Sequence, residues 1–292
     1  MDFSGVWTAL VTPFDEGNVD AAALDRILQL QFTSGVTGVV PVGTTGESPT
    51  LSHEEHIRVI ELVVEICNGK LPVMAGTGSN CTSEAVELTQ GAERAGAKAA
   101  LIVAPYYNKP TQEGLFQHYR TIAQSTELPI ILYSIPSRCG VEISAHTVAR
   151  LAAACPNVVG LKEAGGRAER IREIKPLVPA NFTLLSGDDA LTLDFIEAGA
   201  AGVISVASNI IPGDIVRYVK LALQGHMAEA RKLHKDMEAL FRDLFIETNP
   251  VPIKAALHAK GLCSEEVRLP LVPMSEKNKE QLLSTLRKGG WL

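Results

Sequence analysis

Short apolar runs recur along the chain, and each is followed by a longer segment in which apolar residues return every three or four positions. Such runs are typical of buried strands, and the longer spacing is typical of helices with one buried face. The runs are VWTALV (6–11), GVVPV (38–42), PVMAG (72–76), AALIVA (99–104), PIILY (129–133), VVGLK (158–162), FTLLS (182–186) and GVISV (202–206). The helical segments are 21–32, 53–66, 83–95, 112–123, 145–154, 168–174, 190–198 and 214–223.

This alternation predicts a parallel sheet with helical crossovers. Eight strands are the number that closes an α/β barrel of the (β/α)8 TIM type. Helix-start signals agree, because Ser52 and Glu55 match a capping box and Thr111 and Ser144 precede two further segments. A doubly wound open sheet is the alternative fold, but the chain lacks the G-x-G-x-x-G pattern that many such sheets carry.

The alternation stops after Leu223. Three further helical segments follow, at 226–246, 250–261 and 275–288. We therefore expect a barrel catalytic domain over 1–224 and a C-terminal helical domain over 225–292, packed on the barrel or used for association.

Composition and charge limit the classes of function and the kinds of partner that the chain can have. The chain has 292 residues, 46% hydrophobic, with a net charge of -6 and no basic cluster, which argues against nucleic-acid and acidic-membrane partners. No apolar run approaches the ~20 residues that cross a bilayer, and the first residues show no signal-peptide pattern. The five cysteines are scattered and never form C-x-x-C, as expected for reduced thiols. These features predict a cytoplasmic protein.

Lys162 is the residue with the clearest candidate chemistry. It ends the apolar strand at 158–162, whereas Lys70 and Lys98 precede their strands. Burial disfavours an ammonium and lowers its pKa, which makes the neutral amine available to attack a carbonyl. The alternative is a lysine whose stem lies on apolar surface while its ammonium stays in water.

The residues that follow the other strands support the catalytic interpretation, because active sites of such barrels lie at the carboxyl ends of the strands. Hydroxyls and backbone N–H groups can hold a carboxylate, and a phenol such as Tyr133 can relay protons. The polar strand-end segments are Gly43 to Ser48, Gly76 to Gly78, Pro105 to Asn108, Tyr133 to Arg138 and Ser186 to Asp189.

Five segments at the strand ends resemble the dihydrodipicolinate synthase family, and the resemblance runs essentially end to end. It implies a barrel with C-terminal helices in which a lysine forms an imine with pyruvate, without a metal or other cofactor. The derived enamine then attacks L-aspartate 4-semialdehyde to give 4-hydroxy-tetrahydrodipicolinate, in the pathway to diaminopimelate and lysine. The matching segments are GTTGES (43–48), PYYNKPTQEG (105–114), LYSIPSR (132–138), GLKEAGG (160–166) and LLSGDD (184–189), with RLPL at 268–271.

The resemblance also implies roles for single residues. Lys162 corresponds to the imine lysine, and the proton relay corresponds to Thr44, Tyr133 and a Tyr107 supplied by a neighbouring subunit of a homotetramer. Arg138 corresponds to the residue that receives the carboxylate of the semialdehyde. Contacts to pyruvate correspond to Thr45, to the backbone of Ile204 and to Gly187.

Lysine-sensitive members of this family bind L-lysine at a dimer interface, and six positions of the chain match that site. Glu84 suits the ammonium of such an effector, and His53 and His56, three positions apart, are expected to lie at the surface and face one cleft. The alternative is that Glu84 only favours the start of its helix. The full set is Ser48, His53, His56, Asn80, Glu84 and Tyr106. Common family residues are replaced at Pro49, Ser134 and Cys139.

Two other functions stay open at this point. N-acetylneuraminate lyase and other 2-keto-acid aldolases share the lysine and the tyrosine, and a non-catalytic protein could bind pyruvate-like acids. Arg138 favours the synthase, since a guanidinium suits a short aldehyde with its own carboxylate better than a neutral polyol. Metal-dependent aldol chemistry is not expected, because the seven histidines show no H-x-x-x-H pair.

Overall fold

Eight parallel strands form a single sheet in the computed structural model, which describes residues 1–292. Each apolar run of the sequence supplies one strand, with ends shifted by one or two residues. The strands are β1 (Gly5–Ala9), β2 (Gly38–Val40), β3 (Met74–Gly76), β4 (Ala99–Val103), β5 (Ile130–Ser134), β6 (Val158–Glu163), β7 (Thr183–Ser186) and β8 (Gly202–Ser205).

The sheet closes on itself. Its order is β2-β1-β8-β7-β6-β5-β4-β3, and the two end strands meet through a parallel bridge between Val39 and Val73. The backbone N–H of Gly76 also donates to the carbonyl of Pro41 at 3.0 Å across the same seam. The predicted (β/α)8 barrel is therefore confirmed, and the doubly wound open sheet is excluded.

Helices follow the strands as predicted and surround the barrel. The capping box is present, with the Ser52 hydroxyl accepting from the Glu55 N–H and the Glu55 carboxylate accepting from the Ser52 N–H. Thr111 and Ser144 cap two further helices. The barrel helices are α1 (Ala21–Ser34), α2 (His53–Cys67), α3 (Thr82–Arg94), α4 (Gln112–Ala123), α5 (Ala145–Ala154), α6 (Glu169–Ile174), α7 (Thr192–Ala198) and α8 (Pro212–Leu223).

Three helices complete the chain, at α9 (Met227–Asp243), α10 (Val251–Ala259) and α11 (Glu276–Lys288). The apolar face of α9 packs on α8, where Phe241 and Tyr218 lie with ring centres 6.3 Å apart. The largest buried apolar cluster includes residues of the barrel and of these helices. The C-terminal helices thus share a core with the barrel, and their loops reach its mouth.

Several small elements were not predicted from the sequence, among them a hairpin and a short helical turn. A hairpin pairs Phe14–Asp15 with Asn18–Val19, and a single helical turn spans Pro136–Cys139 after β5. None of the helices combines the length and apolarity needed to cross a membrane.

Candidate active site

Two adjoining cavities open at the carboxyl ends of the barrel strands. The smaller, about 60 Å³, contains Lys162 at its wall, and the larger, about 240 Å³, extends outward from it. Thr44, Tyr133 and Arg138 line both cavities. The structure therefore brings together the strand-end residues that the sequence places more than a hundred positions apart.

Lys162 lies on β6, in register with Tyr133 on β5. Its side chain is 6% exposed, and its ammonium nitrogen is 4.3 Å from the centre of the Tyr133 ring. Burial lowers the pKa of Lys162 to about 8, the nearby carboxylate of Asp189 acts in the opposite direction, and the positive charge of Arg138 lowers it further. At pH 7 roughly a tenth of this amine is neutral, far more than for an ordinary lysine, and the neutral form is the one that attacks a carbonyl.

Tyr133 is also buried, and its burial raises the pKa of the phenol to about 12. The neighbouring Thr44 side chain acts in the opposite direction on this pKa. The phenol is therefore protonated at neutral pH and can donate a proton next to the amine.

Gly187 follows β7 directly beside Lys162. A Cβ at this position would lie 3.0 Å from Cε of Lys162 and 2.6 Å from Cβ of Ala164. The Gly187 N–H donates to the carbonyl of Glu163 at 2.8 Å. Any side chain here would push against the lysine, so glycine keeps space open at the amine.

A strained loop carries Thr44 and Thr45. Val42 and Glu47, which bracket the two threonines, have φ angles of 49° and 53°, a region that side chains other than glycine rarely occupy. Strain of this kind persists only where the surroundings hold it. Thr45 is 4% exposed, and its hydroxyl accepts a hydrogen bond from Asn249.

Arg138 lies on the helical turn after β5, which aims its guanidinium across the mouth. One of its nitrogen atoms donates to the backbone carbonyl of Asn249 at 3.1 Å. Together with Lys162 it gives the mouth positive charge, although the chain as a whole has a net charge of -6. Such a mouth attracts small carboxylates.

Two expected site residues lie outside the cavities of this single chain. Tyr107 is 89% exposed and has a φ of 70°, so its side chain projects away from the protein. Ile204 is buried on β8, and the lining residue of this region is Val206. Their predicted roles stay predictions.

The six positions matched to an effector site divide between four environments. Ser48 and Tyr106 line the larger cavity, and His53 lies at a shallow outer groove beside Glu54 and Arg58. The expectation that both histidines lie at the surface is wrong for His56. That ring is 2% exposed because it turns inward and its Nε2 is 2.7 Å from the carbonyl oxygen of Gly76.

The other two positions of this set lie at the start of α3 and just before it. The Glu84 carboxylate accepts from the hydroxyl of Ser79 at 2.7 Å, and the Asn80 carbonyl accepts from the side chain of Asn108 at 2.8 Å. Both are partly exposed, so their side chains remain accessible.

His56 differs from these accessible positions because it is buried. Burial lowers the pKa of its imidazole to about 4, so this histidine is neutral at neutral pH.

Sequence reasoning did not single out the residues that support the site from behind. Asp189 is 2% exposed and accepts the N–H groups of Val206 and Ala207, each at 2.9 Å. Asn249 lies between two of the predicted C-terminal helices, where the sequence gives no sign of a role in the site. The buried pair of Glu47 and Lys254 carried no local signal, since 207 positions separate its members. The structure shows no group of three or more His, Cys, Asp or Glu side chains that could hold a metal ion.

Comparisons with known proteins agree with this geometry. The model of the dihydrodipicolinate synthetase family matches residues 2–288. A 4-hydroxy-tetrahydrodipicolinate synthase of Sulfurihydrogenibium is 52% identical over 287 residues, which are 98% of each chain. The synthase structure from Methylacidiphilum fumariolicum superposes with a TM-score of 0.98 at 52% identity and covers 99% of this chain and 96% of that one.

A more distant structure comes from Cyanidioschyzon merolae and is described with lysine bound. It has a TM-score of 0.97 and 40% identity, with 99% of both chains covered. The resemblance noted in the sequence, and the enzymatic activity that it implies, are confirmed. The chain belongs to the dihydrodipicolinate synthetase family.

Proposed function

We propose that Lys162 carries the reaction of this enzyme, the condensation of pyruvate with L-aspartate 4-semialdehyde to 4-hydroxy-tetrahydrodipicolinate. The observation that carries the proposal is the buried amine, whose pKa is lowered to about 8, in a cavity that it shares with Tyr133 and Arg138. A neutral amine in such a site is a nucleophile toward a keto group. No metal is needed for this chemistry.

The steps balance without a further reactant. The Lys162 nitrogen attacks C2 of pyruvate, and loss of water gives the imine. Loss of a methyl proton gives the enamine, whose carbon attacks the aldehyde of the semialdehyde. The amino group of the semialdehyde then attacks the imine carbon, closes the ring and releases Lys162. Each of these steps moves a proton in the cavity around the amine, where the Tyr133 phenol lies.

Thr44, Tyr133 and Tyr107 form the proton relay in this account, with Tyr107 provided by a second copy of the chain. Thr44 and Tyr133 line the same cavity, and the Thr44 side chain acts on the pKa of the Tyr133 phenol, which supports the first link. The exposure of Tyr107, together with its strained φ of 70°, supports a contact outside its own subunit. A homotetramer built from two tight dimers would place the relay at the dimer interface.

Mixing two inactive variants tests the shared relay. In a mixed dimer, a Lys162→Ala chain retains its Tyr107 and could complete the site of a Tyr107→Phe chain, which retains its lysine. We expect activity to rise above that of either variant when the two are refolded together. Activity equal to the average of the separate variants would place Tyr107 in its own subunit.

The carboxylates of the substrates are held by different residues. We assign the binding of the pyruvate carboxylate to the Thr45 hydroxyl and to the backbone of Ile204. Gly187, which has no side chain, leaves room for pyruvate beside Lys162. We assign the semialdehyde carboxylate to Arg138, whose planar guanidinium can bind it through two hydrogen bonds. Both Thr45 and Arg138 line the cavity around Lys162, which supports this division.

Turnover of competing aldehydes tests the substrate. The enzyme should consume L-aspartate 4-semialdehyde in the presence of pyruvate and leave N-acetylmannosamine unused. Preferential use of N-acetylmannosamine would replace the synthase by a sugar-acid lyase with the same lysine chemistry.

L-lysine is the proposed feedback inhibitor, bound by the set that contains Ser48, His53, His56, Asn80, Glu84 and Tyr106. The lysine-bound structure of the Cyanidioschyzon merolae relative supports this proposal. Ser48 and Tyr106 also line the cavity that reaches Arg138, so an effector near them could disturb the second substrate. His56 would act indirectly, through its contact with Gly76.

Calorimetry with L-lysine tests this effector site. We expect binding to the wild type and weaker binding to Glu84→Ala, because the variant loses the carboxylate that faces the effector's ammonium. Glu65→Ala, on the exposed face of α2, is the matched control and should bind like the wild type. Absence of binding to the wild type, or equal binding to Glu84→Ala, would reject the site.

A further inference from the structure

The segment between α9 and α10 enters the barrel mouth from the C-terminal helices. Two of its residues, Phe245 and Asn249, line the same small cavity as Lys162 and Thr45, and of these Asn249 is the buried one, 5% exposed. Asn249 therefore belongs to the C-terminal helical region, although its side chain contributes to the cavity of the barrel.

Asn249 makes one contact toward each proposed carboxylate-binding residue. Its side-chain amide nitrogen lies 3.0 Å from the hydroxyl oxygen of Thr45, and its backbone carbonyl accepts from the guanidinium of Arg138 at 3.1 Å. Thr45 and Arg138 themselves lie far apart in the chain and on different loops of the barrel. One residue thus sets the relative position of both.

The contact with Thr45 also fixes the direction of a proton. A hydroxyl has one hydrogen to donate and two lone pairs to accept with. Because Asn249 donates to Thr45, the threonine keeps its own hydrogen, and it gives that hydrogen to no other protein group. The Thr45 O–H is therefore free to donate to a carboxylate in the cavity.

The contact with Arg138 leaves most of the guanidinium unused. Arginine carries five N–H donors in a planar fork. The carbonyl of Asn249 takes one of them, and no other protein acceptor is bonded to this side chain. The guanidinium is held in one orientation while its remaining donors stay available.

A second contact holds this segment against the loop of Thr44 and Thr45. Lys254, within α10, pairs with Glu47 at 2.6 Å, and both side chains are almost completely buried. The other oxygen of Glu47 accepts from the N–H of Arg268 at 3.1 Å. The ion pair joins α10 to the strained loop that carries Thr45. The hydrogen bond from Asn249 to Thr45 and this ion pair therefore both hold the segment against the loop.

We propose that Asn249 is a positioning residue for both substrates: its side chain orients the Thr45 hydroxyl toward the carboxylate of pyruvate, and its backbone carbonyl orients Arg138 toward that of the semialdehyde. This inference rests on the proposed function, because Thr45 and Arg138 take their roles from it. The contact with Thr45 comes first in this statement and the contact with Arg138 second, and the two differ in one testable respect. Only the first depends on the side chain.

Replacement of the side chain should therefore separate the two substrates. Asn249→Ala removes the donor to Thr45 but retains the carbonyl that holds Arg138. We expect KM for pyruvate to rise about tenfold, equivalent to ~1.4 kcal/mol, while KM for the semialdehyde changes far less. In a Thr45→Val background the same substitution should have almost no further effect on KM for pyruvate, because the hydroxyl that Asn249 orients is gone.

Asn157→Ala is the matched control. Its amide nitrogen donates to the carbonyls of Ala123 and Thr126 at the opposite end of the barrel, so it loses comparable hydrogen bonds without touching the site. It should lower Tm and leave both KM values unchanged. If Asn249→Ala does not fold, the isosteric Asn249→Asp replaces it. An aspartate there accepts the Thr45 proton and adds negative charge beside pyruvate, so KM for pyruvate should rise still more.

The outcomes separate this inference from the proposed function. A wild type that forms no imine with pyruvate would overturn the function itself. A working wild type whose KM for pyruvate is unaffected by the change at Asn249 would overturn the positioning role alone. Equal rises in KM for both substrates, or the same loss in the Thr45→Val background, would also overturn it, since Asn249 would then act through general disruption.

Discussion

The ammonium nitrogen of Lys162 lies 4.3 Å from the centre of the Tyr133 ring, and the two residues are paired in register on neighbouring parallel strands. Their side chains therefore point to the same side of the sheet, into the barrel mouth. Burial acts on them in opposite senses, because it disfavours the charged form of each. It leaves an amine that deprotonates more readily and a phenol that retains its proton.

Tyr133→Phe should lower kcat by ~10²–10⁴-fold, the usual contribution of a positioned acid–base group. The ring and its packing beside Lys162 remain, so Tm should change little. Tyr119→Phe is the matched control, because it also removes a buried phenol, one that donates to the carbonyl of Ile102 on the outside of the barrel. Steady-state kinetics of both variants check the prediction. A change confined to KM for pyruvate would make Tyr133 a binding residue only.

Imine formation should follow the titration of Lys162. Its pKa is about 8, and only the neutral amine reacts, so the rate should rise with pH and level off above that value. Asp189 favours the charged amine. Asp189→Asn removes this effect, lowers the pKa of Lys162 and should move the profile to lower pH. Single-turnover rates with pyruvate measure the midpoint, and a midpoint shifted upward or unchanged in the variant would contradict the assignment.

Arg138→Lys should impair use of the semialdehyde selectively. Lysine keeps the positive charge but not the planar pair of donors that binds a carboxylate through two hydrogen bonds. We expect KM for L-aspartate 4-semialdehyde to rise about tenfold or more, equivalent to ~1.4 kcal/mol or more. Trapping of the pyruvate imine serves as the internal control and should persist. Equal damage to trapping and to semialdehyde use would remove Arg138 from this role.

Lys254→Met should destabilise the protein by ~3–5 kcal/mol, because the substitution leaves the buried carboxylate of Glu47 without its charged partner. The double variant Glu47→Gln/Lys254→Met removes both charges and keeps an acceptor for Arg268, so much of the loss should be recovered. Denaturant unfolding at one fixed protein concentration compares the variants. If the double variant is no more stable than Lys254→Met, the unpaired charge is not the cause.

The sequence alone predicted the barrel and the residues of the site that line the cavity at the strand ends. Apolar runs and helical periodicity predict all eight strands, and reading the residues at strand ends selects Lys162, Tyr133 and Arg138. These signals are local, since each depends on a few neighbouring residues. The helical turn at Pro136–Cys139 was missed because four residues carry too little periodicity to detect.

The supporting residues could not be found in this way. Asn249, Lys254 and Glu47 act across contacts between the C-terminal helices and the barrel, and no spacing in the sequence reports which residues meet there. His56 shows the same limit. Its position on α2 is compatible with either face, and the buried contact with Gly76 decides which one it takes.

Borohydride reduction in the presence of pyruvate tests the central claim most directly. The reduced imine should add the three-carbon unit of pyruvate to one peptide, and mass spectrometry should place it on Lys162. Lys162→Ala should remain folded and unlabelled, whereas Lys98→Ala, which removes a lysine that precedes its strand, should be labelled like the wild type. Labelling of Lys162→Ala to the same extent as the wild type would contradict the account.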